Sequence, residues 1–499
     1  MATKNVVDLC GSGQLAFFEN RTDTNYQCTQ LAQKLSSFVA LPGTSAFNAS
    51  SDGFWSTQEA SVRPACVVTP RQTDDVSAFM KIVTTITNCN FAIKSHGHAP
   101  AAGFANIEGG VLLDLTSFNQ TLISDDNKTA TVDTGSAWVD VYRAVQPFNK
   151  TVAGGRNGAV GVGGLTLGGG ISYYSPQVGF TSDTVINFEV VLASSEIVNA
   201  NATANTDLFK ALQGGANNFG IVTKIDFEAI DTFPIAEGHL FTSPTYLEEV
   251  ISAFANIVAS PHYDVHASIV VSVSYNTTSK AWSIISVPQY TLPDPNPPVY
   301  QELFSIPNIT SLTSFGIQNI STLAAEPPYP QLNELFFTST YAAPSGMQVK
   351  TLLVDMFEYL NDTLAAQGVP GVFWSLALEP LPAAFTSHTK TNLFGLNTTE
   401  NAFLYLFSIN WADSALSNQT YTLAQTLLAG LDARAAQRGL LRDFKYANYA
   451  DPSQDVFASY GADQVEFLRN VSMKYDPAGV FQQRVPGGFK ISKAGFGQR

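Results

Sequence analysis

The residues with the most chemical content lie in three short blocks. Lys94-Ser95-His96-Gly97-His98-Ala99-Pro100 follows the β-prone run Phe91-Ala-Ile-Lys. Small residues at such a strand end let main-chain N–H groups approach an anion such as a pyrophosphate. A histidine there could ligate a metal, act as a base or bond to a cofactor, and a plain polar turn would show the same residues. The second block, Gly154 to Ser172, holds nine glycines in its first seventeen residues, interleaved with Val and Leu. Each glycine weakens a helix or strand interior by about 0.5–1 kcal/mol, so this density implies either disorder or main chain wrapped against a large ligand. The interleaved apolar residues, with no Ser- or Pro-rich linker texture, favour the ligand. No G-x-G-x-x-G opens a clear helix here with an acid about twenty residues on, and no Gly-Lys-Ser/Thr follows, which sets aside the Rossmann and P-loop fingerprints. The third block, Asp207 to Thr223, reads as a helix closed by Gly214-Gly215 that leads through a polar turn into a strand.

Other reactive side chains carry less. His262 and His266 flank Asp264 at a spacing that could face a metal on a helix, but Pro261 and the local polarity make this a loop start, and no metal site is expected. His239 and His388 have no partner visible in sequence. The four cysteines, Cys10, Cys28, Cys66 and Cys89, form no C-x-x-C pair, so zinc and thioredoxin-like chemistry are not expected. In an oxidising compartment they would make up to two disulfides, with three connectivities open.

The elements that position these blocks can be read coarsely. A helical stretch near Tyr26–Phe38 precedes a short strand at Cys66, and Thr73–Ile86 has helical spacing of Val76, Phe79, Met80 and Val83 after a capping sequence Thr73-Asp74-Asp75. Strands follow at Phe91–Lys94, Gly110–Leu115 and Thr129–Thr134, then a helix at Trp138–Val145, strands at Val185–Ala193 and Gly220–Phe227, and a helix at Leu208–Leu212. This is α+β texture, not regular β-α-β alternation. A boundary is expected near Phe233-Pro234; beyond it, helical stretches mix with long β-prone and Pro-rich segments, and a last helix falls near Gln464–Lys474.

Composition bounds the whole. At 499 residues two domains are expected, and 45% hydrophobic residues with 34 Phe and 18 Tyr supply ample core. A formal charge of −15 disfavours nucleic acid and anionic membrane surfaces as partners. No apolar run approaches the roughly 18–20 residues of a membrane span. The opening residues lack the apolar core of a secretory signal, as expected of a mature chain. Thirteen N-x-S/T sequons, at Asn20, Asn48, Asn119, Asn127, Asn149, Asn201, Asn276, Asn308, Asn319, Asn361, Asn397, Asn418 and Asn470, favour a secreted glycoprotein carrying N-linked glycans.

Taken in order, the three blocks resemble the FAD-binding domain of the vanillyl-alcohol-oxidase superfamily, specifically the berberine-bridge-enzyme-like oxidases, over about residues 60–230. The likeness resumes at Lys445-Tyr-Ala-Asn-Tyr-Ala-Asp451 and Lys474-Tyr-Asp-Pro-Ala-Gly-Val-Phe481. It implies an α+β fold: a PCMH-type FAD-binding domain of two α+β subdomains at 62–234, preceded by the N-terminal part of the FAD domain at 1–61, an α+β substrate domain with an antiparallel sheet (235–440), and a C-terminal element (441–499) returning to the FAD domain.

The resemblance also implies roles. The family's R-S-G-G-H loop, whose histidine is joined to the flavin, is matched by Lys94-Ser95-His96-Gly97-His98, with His96 in place of a glycine; His98 takes the linking role and Ala99 follows it. Relatives with a second, cysteinyl bond have Cys where this chain has Asn157, so a single histidyl attachment is implied, with a smaller or more enclosed substrate than an oligosaccharide. Val160 matches the oxygen-gating position. Gly154, Gly155, Gly161, Gly163, Gly164, Leu167, Gly168, Gly169, Ile171 and Ser172 would cradle the cofactor, and Gly220-Ile221-Val222 would lie along the isoalloxazine edge. Asn448 and Tyr449 match the C-terminal motif, with Tyr449 as active-site base, a role calling for a lowered pKa. Glu379 is a second candidate, because an alternating strand could point it at the flavin. The implied activity is oxidation of an alcohol or activated C–H of a small molecule, with O2 reduced to H2O2. A mono- or oligosaccharide oxidase, a redox-neutral cyclase or isomerase, and a glycoprotein with a vestigial flavin site are the alternatives.

Overall fold

The computed structural model describes residues 23–35, 38–86, 89–325 and 330–495; Cys10 and the Asn20 sequon lie outside them. Cys66–Val68, Val111–Asp114 and Phe91–Lys94, nearly all buried, pair in parallel, and Val39–Ala40 adds an antiparallel edge. The helix Thr73–Val83 crosses between the first two of these in sequence and buries Val76, Phe79, Met80 and Val83. Its cap differs from expectation. Gln72 is the extended N-cap residue and makes no side-chain capping bond, while Asp75 turns back to accept from the Arg71 N–H at 3.0 Å. A disulfide joins Cys28, on the helix Asp23–Leu35, to Cys66. The C-terminal ends of parallel strands are where α/β sheets present ligand loops, and here that end delivers Ser95 to His98.

A second sheet, antiparallel, runs in the order Thr121–Ile123, Thr129–Asp133, Ile221–Glu228, Val185–Val191 and Ile197–Asn201. Its register slips between Val222 and Lys224. Bulges of this kind re-aim a strand end beside functional sites, and Thr134 Oγ1 fixes this one by donating to the Val222 carbonyl at 2.7 Å.

The third sheet has eight antiparallel strands, from Ile235–Thr242 to Leu441–Arg442. One face packs on the helices Leu247–Val258, Gly346–Gln367 and Ser417–Gln437 to make a core drawn wholly from residues between Ala236 and Leu440. The chain after it returns to the first region: Phe444, Tyr446, Tyr460 and Leu468 join the core of Trp138, Phe180 and Phe219. The last long helix spans Ala462–Tyr475. No helix among the described residues is long and apolar enough to cross a membrane.

Candidate active site

A cavity of about 780 Å³ lies where the loop after Lys94, the glycine block, residues 216–222, the C-terminal element and the open face of the eight-stranded sheet converge. Ser95–Ala99, Val160, Gly161, Gly163, Gly164, Leu167, Gly168, Ile171, Gly220–Val222, Asn448 and Tyr449 line it; Lys94, Gly154, Gly155, Gly169, Ser172 and Glu379 do not.

The second group have other work. Lys94 is buried, 3.3 Å from Asp114, donates to the Ser50 carbonyl at 2.7 Å and sits over the Phe54 ring. It braces the strand end from behind. A Cβ on Gly154 or Gly155 would strike the Trp138 indole at 2.2 or 2.6 Å, so these two glycines exist for a protein side chain and not for a ligand. Gly169 turns the chain with φ +106°, and the Ser172 N–H donates to Ser175 Oγ.

The loop itself is held open toward the cavity. Gly97 has φ +66°, and any side chain there would run into Phe54. Ser95 Oγ donates to the Thr134 carbonyl at 2.6 Å, and His96 Nε2 lies 3.0 Å from the Gly135 carbonyl, which gives the histidine standing in a glycine position a fixed place. The main-chain N–H groups of Gly97, His98 and Ala99 find no acceptor among the described residues, the arrangement that suits an anion. His98 stacks on Trp55 with ring centroids 4.2 Å apart and planes 17° from parallel. Its Nε2 is buried, with no hydrogen-bond partner among the described residues. Burial, aided by the nearby His96, pushes its pKa down to about 4, so the ring is a neutral imidazole at physiological pH. Trp55 is fixed in turn: its N–H donates to the Gly97 carbonyl at 3.0 Å and its indole N–H to Glu334. Glu334 also accepts from Asn410 at 2.7 Å and Ser408 at 3.0 Å.

Along the glycine block, a Cβ on Gly164 would meet nothing within 4 Å among the described residues, whereas one on Gly161 would meet Ser95 Oγ at 2.2 Å and one on Gly168 would meet Asn448 at 2.1 Å. Gly161 and Gly168 let the walls close, and Gly164 keeps the floor clear. Orphaned imidazole, unpaired N–H groups and a bare glycine floor fit a flavin dinucleotide lying across this stretch.

At the cavity wall three side chains meet. Arg156 Nη2 donates to Glu379 Oε2 at 2.8 Å and to Tyr449 Oη at 2.9 Å, and Tyr449 Oη donates to Glu379 Oε1 at 2.9 Å. Arg156 and Tyr449 line the cavity, and Glu379 stands behind them, 3% exposed. Burial would lower the Arg156 pKa, but Glu379 and Tyr449 outweigh it and hold the guanidinium charged. Tyr449 departs from expectation: burial, then the Glu379 charge, raise its pKa well above the ordinary value, with Arg156 only partly offsetting them. It rests as a phenol donating to a carboxylate, not as a phenolate. Tyr446 sets its ring edge-on at 4.8 Å, and Asn448 ties the motif to the glycine block by donating to the Leu165 carbonyl at 3.0 Å.

Sequence reasoning passed over Arg156, Trp55 and Glu334. Arg156 had a signal, being the one charged residue between Gly154 and Gly170; Trp55 and Glu334 had none. His262 and His266 stay apart from this machinery: His266 Nδ1 bonds to Thr291 Oγ1 at 2.8 Å, and the segment is a turn.

Residues 64–201 match a family model described as an FAD binding domain. The fold is shared with 6-hydroxy-D-nicotine oxidase from Arthrobacter nicotinovorans (TM-score 0.75, 19% identity, covering 91% of this chain and 97% of that one). It is shared equally with berberine bridge enzyme from Eschscholzia californica (TM-score 0.74, 15% identity, covering 92% and 99%). At the level of sequence, the chain is 33% identical over 475 residues to the FAD-dependent monooxygenase sdcF of Emericella nidulans, covering 94% of this chain and 98% of that protein. The chain belongs to the family of FAD-dependent oxidoreductases that includes sdcF, and it has the fold of berberine bridge enzyme. A further relative of this family member, Oligopeptidase PhomG' of Diaporthe leptostromiformis, is 35% identical over 464 residues, and the chain spans 36% of its length. In this family member the Asn157 Oδ1 accepts from the Ala159 N–H at 2.9 Å.

Proposed function

We propose that the protein is an oxidase that takes hydride from a carbon bearing a hydroxyl, or from an activated C–H, of a small organic molecule. The observation that carries this reading is the Arg156–Glu379–Tyr449 cluster on the wall of the same cavity that the 95–99 loop and the glycine block line. FAD held by the 95–99 loop and the 160–171 segment, and joined to His98, would accept the hydride and pass the electrons to O2 as H2O2. Tyr449 does its part as a relay. Its oxygen takes the substrate hydroxyl proton while its own proton passes along the 2.9 Å bond to Glu379 Oε1. A phenol of raised pKa is suited to this, because no free phenolate has to form. Arg156 holds both partners in line through its bonds to Glu379 and Tyr449.

Several relatives are named monooxygenases, which favours oxygen insertion as a second reading. Anaerobic mixing with secondary benzylic and allylic alcohols tests the first: the flavin should bleach, and in air one H2O2 should appear per substrate consumed. Isotopic oxygen from O2 in the product, with no H2O2, would decide for the second.

We further place the protein outside the cell as a glycoprotein. All twelve sequon asparagines within the described residues have solvent access, with Asn127, Asn201 and Asn308 half-buried and the rest exposed, and Cys28–Cys66 is a disulfide. A peptide N-glycosidase should lower the mass of the protein from its native source, and an unchanged mass would remove this reading.

A further inference from the structure

The cavity face of the eight-stranded sheet can be resolved into rows, because directly paired residues on antiparallel neighbours point to one side. Leu378 pairs with Val271, Val270 with Val287, Leu240 with Ser286 and His239 with Ser314. Continuing two of those registers by one residue sets Glu379 beside Val270 and Val287 beside His239. One row therefore reads Glu379, Val270, Val287, His239, and the last three line the cavity. At about 4.8 Å per strand, three steps separate Glu379 from His239, about 14 Å in all. Two residues further along the strands, on the same face, Gln289 sits directly across from Glu237. Both line the cavity; Gln289 is 3% exposed and its Oε1 has no hydrogen-bond partner among the described residues.

We propose that this row is the substrate bed and that Gln289, with Glu237 across from it, recognises a hydroxyl at the end of the substrate remote from the carbon oxidised. The substrate is then a flat, apolar body of about two aromatic rings with a carbinol at one end and a phenol or alcohol O–H at the other. The floor under its middle is Val270 and Val287, over which a sugar would leave its hydroxyls without partners, so a carbohydrate fits this bed poorly. A buried amide oxygen left unpaired is unfavourable, and a ligand O–H that reaches it is bound more tightly for that reason. This inference rests on the oxidase reading only for which end reacts.

Ketones test it without chemistry, because they cannot be oxidised further at the carbonyl carbon. With flavin-loaded protein, 4-acetyl-4'-hydroxybiphenyl should perturb the flavin spectrum at roughly tenfold lower concentration than 4-acetylbiphenyl. Gln289→Leu, with unchanged flavin content and melting temperature, should reduce that preference below threefold. Val287→Phe should weaken both biphenyls at least tenfold and leave acetophenone within threefold. An undiminished hydroxyl preference in Gln289→Leu overturns the subsite, as does a hydroxybiphenyl that fails to bind, or a Val287→Phe protein that binds long and short ketones as the parent does. If the ketones discriminate as expected but the matching alcohols never bleach the flavin, the subsite stands and the oxidase reading fails.

Discussion

Replacing Arg156 by Met, alone and together with Glu379→Met, separates what the buried cluster does for stability from what it does for chemistry. At an effective dielectric of about 20, charges 2.8 Å apart attract by roughly 6 kcal/mol. Both side chains are largely buried, 15% and 5% exposed, so removing them from water costs several kcal/mol for each ion and nearly cancels that attraction. The single variant keeps the desolvation of Glu379 and loses its compensation, which should cost about 3–5 kcal/mol. At about 2 °C per kcal/mol for a large chain, the melting temperature should fall by roughly 6–10 °C. Arg156→Met/Glu379→Met removes both charges and should recover most of that loss. Activity should behave oppositely. The double variant lacks the proton acceptor for Tyr449 and should lose about 10²–10⁴ in kcat, however stable it is. Differential scanning fluorimetry and H2O2 release on the same preparations read both quantities. A double variant as unstable as the single one, or one that regains activity with stability, would refute the reasoning.

Other outcomes follow from single contacts. Tyr449→Phe should lower kcat by about 10²–10⁴ while retaining its flavin, and an unchanged kcat would remove Tyr449 from the relay. Gly164→Leu adds a side chain where a Cβ meets nothing within 4 Å and suits the helix Val162–Leu167 better than glycine, so the protein should fold normally yet fail to take up flavin, which absorbance reports. In flavin-free protein His98 has a pKa of about 4 when folded against its ordinary 6.5 when unfolded. Because the folded value is the lower one, stability is full above about pH 6.5 and falls as the pH drops to about 4, by up to about 3 kcal/mol, and denaturant melts of His98→Ala should lack that slope. Trp55→Ala removes the ring stacked 4.2 Å from His98 and should reduce the fraction of flavin that survives denaturation on the chain.

The local patterns that could be read in sequence are those whose cause is local. Val76, Phe79, Met80 and Val83 recur at helical spacing because one helix face is buried, and they form that face. Glu379 was reachable because strand alternation fixes which side a residue takes. What stayed hidden depends on what stands opposite. Gly155 and Gly164 are the same residue in the same block, yet one makes room for Trp138 and the other for open cavity, and only the fold distinguishes them. Arg156 meets a partner 223 positions away. The single eight-stranded sheet was not visible in residues 235–440, because its pairings skip along the chain, Ala267–Asn276 lying between Ala281–Tyr290 and Val372–Leu381.

The proposed link between His98 and the flavin is open to direct observation. Protein denatured and precipitated from the flavin-loaded enzyme should carry the yellow absorbance with the polypeptide, and His98→Ala should release it to the supernatant. Colour that leaves the parent chain on denaturation, or a His98→Ala protein that keeps it, would contradict a cofactor joined to that imidazole.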